Sequence, residues 1–366
     1  MSSSDQKPIY VTKSFIPPIE EYQKNVDRAF KKEWLTNRGE LVLELEHKLQ
    51  DYLGVNQITL HTNGTLPIQI ALKALGIHKE VITTPFSYVA TTSAIIWEGA
   101  KPVFADIDEE HWTIDPKRIE EKITENTQAI LATHVFGNPC DIETIEEIAL
   151  KHGLIVIYDA AHSFGVNYKG ESLFNYGHVS TCSFHATKLF HTAEGGASFC
   201  NDEKLKHQLF YHHNFGHNGA EEFHGLGINS KMSELQAAMG LTVLPHMEMI
   251  LSKREAVSKR YEELLSNVEI TFIKWRKGAT RNYSYFPVLF PSHQIMTQVK
   301  EALEKNKIFP RRYFYPSLNK LPYLDHLVTM PVAEDIADRI LCLPLSHNIS
   351  GFDVDRIIEI IIKEML

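Results

Sequence analysis

Short apolar runs alternate with helix-patterned segments along most of this chain. From about residue 56, "QITLHT" reads as a strand, "NGT" as a turn, and "LPIQIALKALG" as a helix stopped by Gly76. "EVITTP" predicts the next strand, then come a helical "YVATTSAIIWEG" and a strand "KPVFADI". The helix "DPKRIEEKI" precedes the strand "QAILATHVFG", and "DIETIEEIALKHG" is a helix with an acidic start and a glycine stop. "LIVIYDA" is an unbroken apolar run of the kind found in strands buried on both faces, and "VSTCSF" and "GASFC" complete the series. Before it, residues 15 to 53 carry apolar residues at helical spacing in "PPIEEYQKNVDRAFKKEW" and "GELVLELEHKLQDYL".

Strands alternating with helices predict an α/β fold, a mostly parallel sheet covered on both faces, with ligands beyond the carboxyl ends of its strands. After about residue 245 the pattern changes. "MEMILSKREAVSKRYEELL", a strand-like "YSYFPVLF", a helical "IMTQVKEALEKN" and a terminal "DVDRIIEIIIKEML" suit a smaller α+β domain. The expected division is an N-terminal helical arm over 1–35, a large domain over 36–245 and a small C-terminal domain over 246–366.

Composition narrows the classes. A net charge of −9 argues against nucleic acid and anionic membrane as partners, since both reward a basic surface. No run approaches the length of a membrane span, and "MSSSDQKP" lacks an apolar signal core, so the cytoplasm is the expected compartment. Cys140, Cys182, Cys200 and Cys342 form no CxxC pair and read as buried thiols in a reducing compartment. The 19 histidines raise the question of a metal, most of all in "YHHNFGHNGAEEFHG", but the spacing fits no ordinary zinc pattern and no HExxH occurs. No metal is therefore expected, and the segment reads as a Gly- and Asn-rich loop that borders a cleft.

Four pieces of chemistry fall at strand ends. Asn63-Gly64-Thr65 lies between a strand and a helix start, where backbone N–H groups and a hydroxyl suit a phosphate; the same residues also suit an ordinary capped turn. Asp159 ends a buried strand, where a carboxylate needs a cation or donors, and it doubles as a helix cap in the alternative reading. Tyr88 stands just past a strand, suited to stacking on a heterocycle or to core packing. Lys188, in "SFHATKLFHTAEGG", attacks carbonyl carbon only as the neutral amine, which desolvation favours; Ser183 adds a hydroxyl nearby. A phosphate cradle, a stacking ring, a buried carboxylate and a reactive lysine together are the protein's share of a pyridoxal 5′-phosphate (PLP) site.

The motifs resemble, in order and at family-like spacing, those of the fold-type-I, PLP-dependent nucleotide-sugar aminotransferases of the DegT/DnrJ/StrS group. The resemblance runs from "WLTNRG" through "GINSKMSELQAAMG", and more weakly to "LCLPLSHNIS". It implies a large mostly parallel mixed-sheet domain that binds PLP, which alternates with its amino form PMP, and a smaller C-terminal α+β domain. "NGTLPIQIAL" implies Gly64 and Thr65 at the phosphate, and "EVITTPFSYVATTSAI" implies Tyr88 as the stacking ring. "DAAHSFG" implies Asp159 on the pyridine nitrogen and His162 near the ring hydroxyl. "SFHATKLFHTAEGG" implies Lys188 as the covalent and catalytic lysine, with Ser183 on the phosphate. "GINSKMSE" resembles a Gly-x-Asn-x-Arg segment whose asparagine reaches the neighbouring subunit's phosphate, which implies Asn229 in that role and a homodimer with shared sites. Lys231 replaces the usual arginine and cannot make its bidentate contact.

Family members that become dehydratases carry histidine in place of the lysine, so Lys188 implies a transaminase. "HATK…T.EGG" is similar to the branch that aminates the 4-keto carbon of dTDP-4-keto-6-deoxyglucose for O-antigen and lipopolysaccharide sugars, with L-glutamate as donor. UDP-linked or 3-keto sugars, and a non-catalytic PLP-binding sensor, remain as alternatives. A sugar diphosphate needs local cations, for which His185, the histidine loop at 211–224, Lys231, Arg311, Arg312 and nearby Tyr315 are candidates.

Overall fold

The computed structural model describes residues 7–324 and 328–366; the first six residues of the expected arm lie outside that range. Seven strands build the main sheet: β1 (Ile58–His61), β2 (Glu80–Thr83), β3 (Lys101–Phe104), β4 (Thr127–Thr133), β5 (Ile155–Asp159), β6 (Val179–Ser183) and β7 (Gly196–Phe199). Their order is β1-β7-β6-β5-β4-β2-β3, and β7 alone runs antiparallel to its neighbours. Both faces of β5 are buried because helices cover the sheet on each side, which is why its sequence is apolar without alternation.

The helices before and between the strands are α1 (Ile19–Lys31), α2 (Glu40–Leu53), α3 (Leu66–Ala74), α4 (Val89–Trp97), α5 (Pro116–Glu120) and α6 (Ile142–His152). Gly54 and Gly153 end α2 and α6 in the left-handed region, at φ of 64° and 65°. The next two, α7 (Glu203–His213) and α8 (Glu234–Val243), are elements the sequence pattern did not predict. In α7 only Leu205, Leu209 and His213 are buried, so its apolar stripe is thin. The histidine-rich loop therefore starts on a helix, and beyond it residues 217–218 and 222–223 pair antiparallel.

A second sheet of β8 (Thr271–Phe272), β9 (Phe286–Leu289) and β10 (Ile340–Leu343) is antiparallel in that order. The helices α9 (Met247–Leu264), α10 (His293–Lys305), α11 (Pro331–Arg339) and α12 (Gly351–Met365) complete this lobe. Val257, Phe286, Val288, Val299, Ile357 and Ile361 share one of its cores. Another cluster, with Phe86, Phe136, Tyr285 and Phe314, joins the second lobe to the main sheet.

The chain's start laces across both lobes. Ile9 and Tyr10 pair parallel with Ile308 and Phe309, and Leu345 N donates to Val11 O at 2.9 Å. Thr12 Oγ1 then donates to Thr187 O at 3.4 Å, and a ring nitrogen of His191 meets Phe15 O at 2.7 Å. Among the described residues no helix is long and apolar enough to cross a membrane, and no group of three or more His, Cys, Asp or Glu side chains is placed to hold a metal ion.

Candidate active site

The main sheet ends in a cleft of about 270 Å³ between the two lobes. Gly64, Thr65, Tyr88, Asp159, His162, Ser183, His185, Lys188 and Arg311 line it, so residues spread over most of the chain meet at the carboxyl ends of the parallel strands.

The loop 184–195 joins β6 to antiparallel β7 and carries Lys188. Internal bonds close it: Phe184 N to Gly195 O at 2.8 Å, Ala186 N to Ala193 O at 2.7 Å and Lys188 N to His185 O at 2.8 Å. The glycines of the "EGG" tail follow from close packing, since a Cβ on Gly196 would lie 2.3 Å from Asn63 O. Lys188 thus rises from a rigid hairpin against the phosphate turn. Among the described residues its half-buried amine has no carboxylate in ion-pair range; its polar contact is the Tyr285 hydroxyl at 3.4 Å. Burial lowers the amine's pKa, and the more distant Asp159 opposes that. Both effects suit an amine that must lose and regain a proton.

Asp159 closes the adjacent strand β5 and is 5% exposed. Thr91 Oγ1 donates to Oδ2 at 2.7 Å and Ala161 N to Oδ1 at 3.1 Å. Behind Thr91 stand Ser87 at 2.8 Å and then Thr133, which donates to Ser87 at 3.0 Å. Burial still raises the carboxyl's pKa despite these donors and Lys188. Among the described residues no cation stands at contact distance from this carboxylate, and a protonated ring nitrogen would supply one.

His162 is buried and neutral, with its pKa pushed far down by burial. Phe136 N donates to its Nδ1 at 3.1 Å, which puts the ring proton on Nε2. Its ring lies parallel to Phe314 at 5.6 Å. Tyr88 caps α4 with its ring 54% exposed at the rim. The Gly64–Thr65 turn lies flush on Ser183: a Cβ on Gly64 would fall 2.5 Å from the Ser183 Cβ. Two amides expected to face an anion, those of Thr65 and Leu66, both donate to Asn63 Oδ1 at 2.9 Å. A phosphate at this turn would have the Thr65 and Ser183 hydroxyls within the same cleft and would compete with Asn63 for the amides. Gly64→Ala should therefore weaken cofactor binding at least tenfold while costing about 1–3 kcal/mol of stability; a fluorescence titration with PLP and a urea melt read the two effects.

The remaining candidates divide between the rim of the cleft and other places. His185 faces Thr187 Oγ1 at 2.8 Å and Glu194 at 3.6 Å on the pocket's lip. Arg311 lies over the Tyr313 ring at 5.1 Å and reaches the pocket. Arg312 does not line it: its guanidinium binds Asp338 at 3.1 Å and stacks on Tyr315 at 3.5 Å. Asn229 and Lys231 also lie outside the Lys188 pocket. Lys231 Nζ donates to Asn229 Oδ1 at 2.8 Å and sits over Phe215 at 4.6 Å, beside a separate surface cleft. The sequence reading missed Ser87, Thr91 and Thr133, whose convergence on Asp159 no local spacing signals, and Tyr285 and Tyr313, which read as core aromatics.

An aromatic rim, a buried carboxylate, a neutral imidazole, hydroxyls at a helix start and a desolvated lysine fit PLP part by part: ring face, ring nitrogen, ring hydroxyl, phosphate and aldehyde. The comparisons agree. A dTDP-4-amino-4,6-dideoxy-D-glucose transaminase of Shigella dysenteriae is 41% identical over 97% of this chain and 99% of its own, and one of the same name from Escherichia coli is 39% identical over 99% and 100%. The crystal structure of DesI in the presence of its TDP-sugar product superposes with a TM-score of 0.94 at 30% identity, covering 100% of this chain and 95% of that one. The description "DegT/DnrJ/EryC1/StrS aminotransferase family" matches residues 18–362, and it is to this family that the chain belongs.

Proposed function

We propose that this enzyme moves the amino group of L-glutamate to C4 of dTDP-4-keto-6-deoxyglucose, giving dTDP-4-amino-4,6-dideoxyglucose and 2-oxoglutarate for O-antigen synthesis. The observation that carries the reading is the meeting of the Lys188 amine and the buried Asp159 carboxylate in one cleft, at the ends of adjacent parallel strands. The substrate is taken from the names of the two transaminases above, which align end to end with this chain.

Bound PLP supplies a carbonyl to receive the amino group and a ring to take up the electron pair left at the donor's α-carbon. Lys188 would hold the cofactor covalently, and its free amine would take the α-proton from glutamate. The same amine returns a proton to the sugar carbon, so one group acts as base and then as acid. Asp159 would keep the ring nitrogen protonated, His162 would offer its Nε2–H to the ring hydroxyl, Tyr88 would stack on the ring, and Thr65 and Ser183 would hold the phosphate. Phe314 and Tyr313 help wall the cleft against water. Arg311 gives the anionic substrates a local cation that the net charge of −9 otherwise denies them.

The reading includes a homodimer, which the exposure of Asn229 outside its own pocket supports, as do the exposed apolar residues Phe215, Phe223, Leu226 and Ile228 in the same stretch of chain. A second copy covering them would bring Asn229 to the partner's phosphate. Buried free thiols at all four cysteines suit a cytoplasmic enzyme.

The test is direct. Purified protein with PLP, glutamate and dTDP-4-keto-6-deoxyglucose should give a product whose mass and proton spectrum place an amine on C4. Inert dTDP sugar, with turnover of a UDP- or GDP-linked or a 3-keto sugar instead, overturns the substrate assignment.

A further inference from the structure

Tyr285 begins the run into β9 and reaches the pocket from the second lobe. It is 8% exposed. Its hydroxyl meets Lys188 Nζ at 3.4 Å, and the same amine lies 5.9 Å from its ring centroid. The phenol also borders a small enclosed cavity behind Lys188, with His162, Ser183 and Ser284.

The backbone that carries this ring is held with unusual firmness. Arg254, on α9, is 4% exposed and ends on main-chain oxygens: Nε donates to Tyr283 O at 2.8 Å and Nη2 to Ser284 O at 2.6 Å. Asn282 Nδ2 donates to His162 O at 2.8 Å and Phe164 O at 3.0 Å, and Ser284 Oγ to His162 O at 3.1 Å. The Tyr285 ring then leans on the His162 ring at 4.7 Å. A buried guanidinium spent on two carbonyls is a costly way to hold a loop unless the loop's placement matters.

We propose that Tyr285 is a further catalytic residue: once the free Lys188 amine has taken up a proton, the Tyr285 hydroxyl oxygen accepts a hydrogen bond from the ammonium and holds it in the cleft as the acid for the next transfer. Burial keeps the phenol above its usual pKa range, so it remains a neutral hydroxyl throughout and no proton passes to it. The contact opposes the desolvation that lowers the amine's pKa. Asp159, Cys182, Tyr313 and Tyr88 also act on the amine, and Cys342, Arg254 and Arg311 act on the phenol. Among the described residues Tyr285 is the acceptor at hydrogen-bond distance from the amine. The role concerns the lysine itself and holds whichever ketosugar is used, but it rests on Lys188 being the working amine.

Tyr285→Phe keeps the ring against His162 and removes the oxygen alone. In cofactor-free full-length protein, trace acetylation of Lys188 across a pH series, read by mass spectrometry, gives the amine's titration midpoint. Loss of the acceptor destabilises the ammonium, so the midpoint should fall by about one unit, within the range of a hydrogen bond to a charged group. In the loaded enzyme kcat should fall about tenfold with KM for the sugar nucleotide unchanged, as for a contact made only during turnover. Tyr285→Leu should move the midpoint the same way, which keeps the test valid if the Phe variant misfolds. A midpoint that stays put or rises in the folded variants overturns the proposal. Borohydride tagging of some lysine other than Lys188 would instead strike at the proposed function, and the two failures are read separately.

Discussion

Lys188→Ala should abolish turnover, with a loss of about 10⁴-fold or more, because one amine serves as covalent anchor, base and acid. Borohydride treatment with PLP should mark a single tryptic peptide of the parent protein, residues 170–204 with Lys188 uncut inside it, and none in the variant. The fold should survive. Among the described residues the side chain makes no ion pair, and its polar contact is the long one to Tyr285, while the loop that carries it is closed by backbone bonds that alanine keeps. The thermal midpoint of the cofactor-free variant should hold or rise, since a desolvated amine is a cost to the folded chain. Residual turnover near the parent level, or borohydride labelling elsewhere, ends the assignment of this lysine.

The second large effect is expected at Asp159. Asn in its place cannot hold a proton on a ring nitrogen by charge, and kcat should fall on the order of 10²–10³-fold, as when a charge-stabilising contact is removed from an enclosed site. A pH signature accompanies it. Burial raises this carboxyl's pKa above that of the unfolded chain. Between the two values the folded form binds more protons than the unfolded, so the contribution of Asp159 to stability falls as pH rises through that window. Cofactor-free protein should therefore lose stability over the carboxylate range by an increment that PLP restores. The Asp159→Asn variant should lack both the increment and its recovery. Urea melts at a series of pH values, with and without PLP, measure each; an unchanged slope in the variant contradicts the burial argument.

Much of this architecture was readable before any coordinates, for identifiable reasons. The run ending in Asp159 is apolar on both faces, so an abrupt carboxylate at its end stands out. Lys188 is flagged by its hairpin, whose glycines are demanded by the close approach to Asn63. Features built by distant partners were not readable. Glu234, 1% exposed, accepts from Leu41 N at 2.8 Å and Val42 N at 3.2 Å and so caps α2 from nearly two hundred residues away. The hydroxyls of Thr133, Ser87 and Thr91 form a chain only after β4 and the start of α4 are brought together. Helix α7 escaped because three buried side chains make too faint a stripe among charges and histidines. Tyr285 escaped because an aromatic in an apolar run looks like core until the tip of its ring is seen at the lysine.

The first described residues stitch the smaller lobe to the backbone beside Lys188, through Ile9, Val11, Thr12 and Phe15. Deleting residues 9–15 would thus loosen the contact between the lobes before it touched any reacting group.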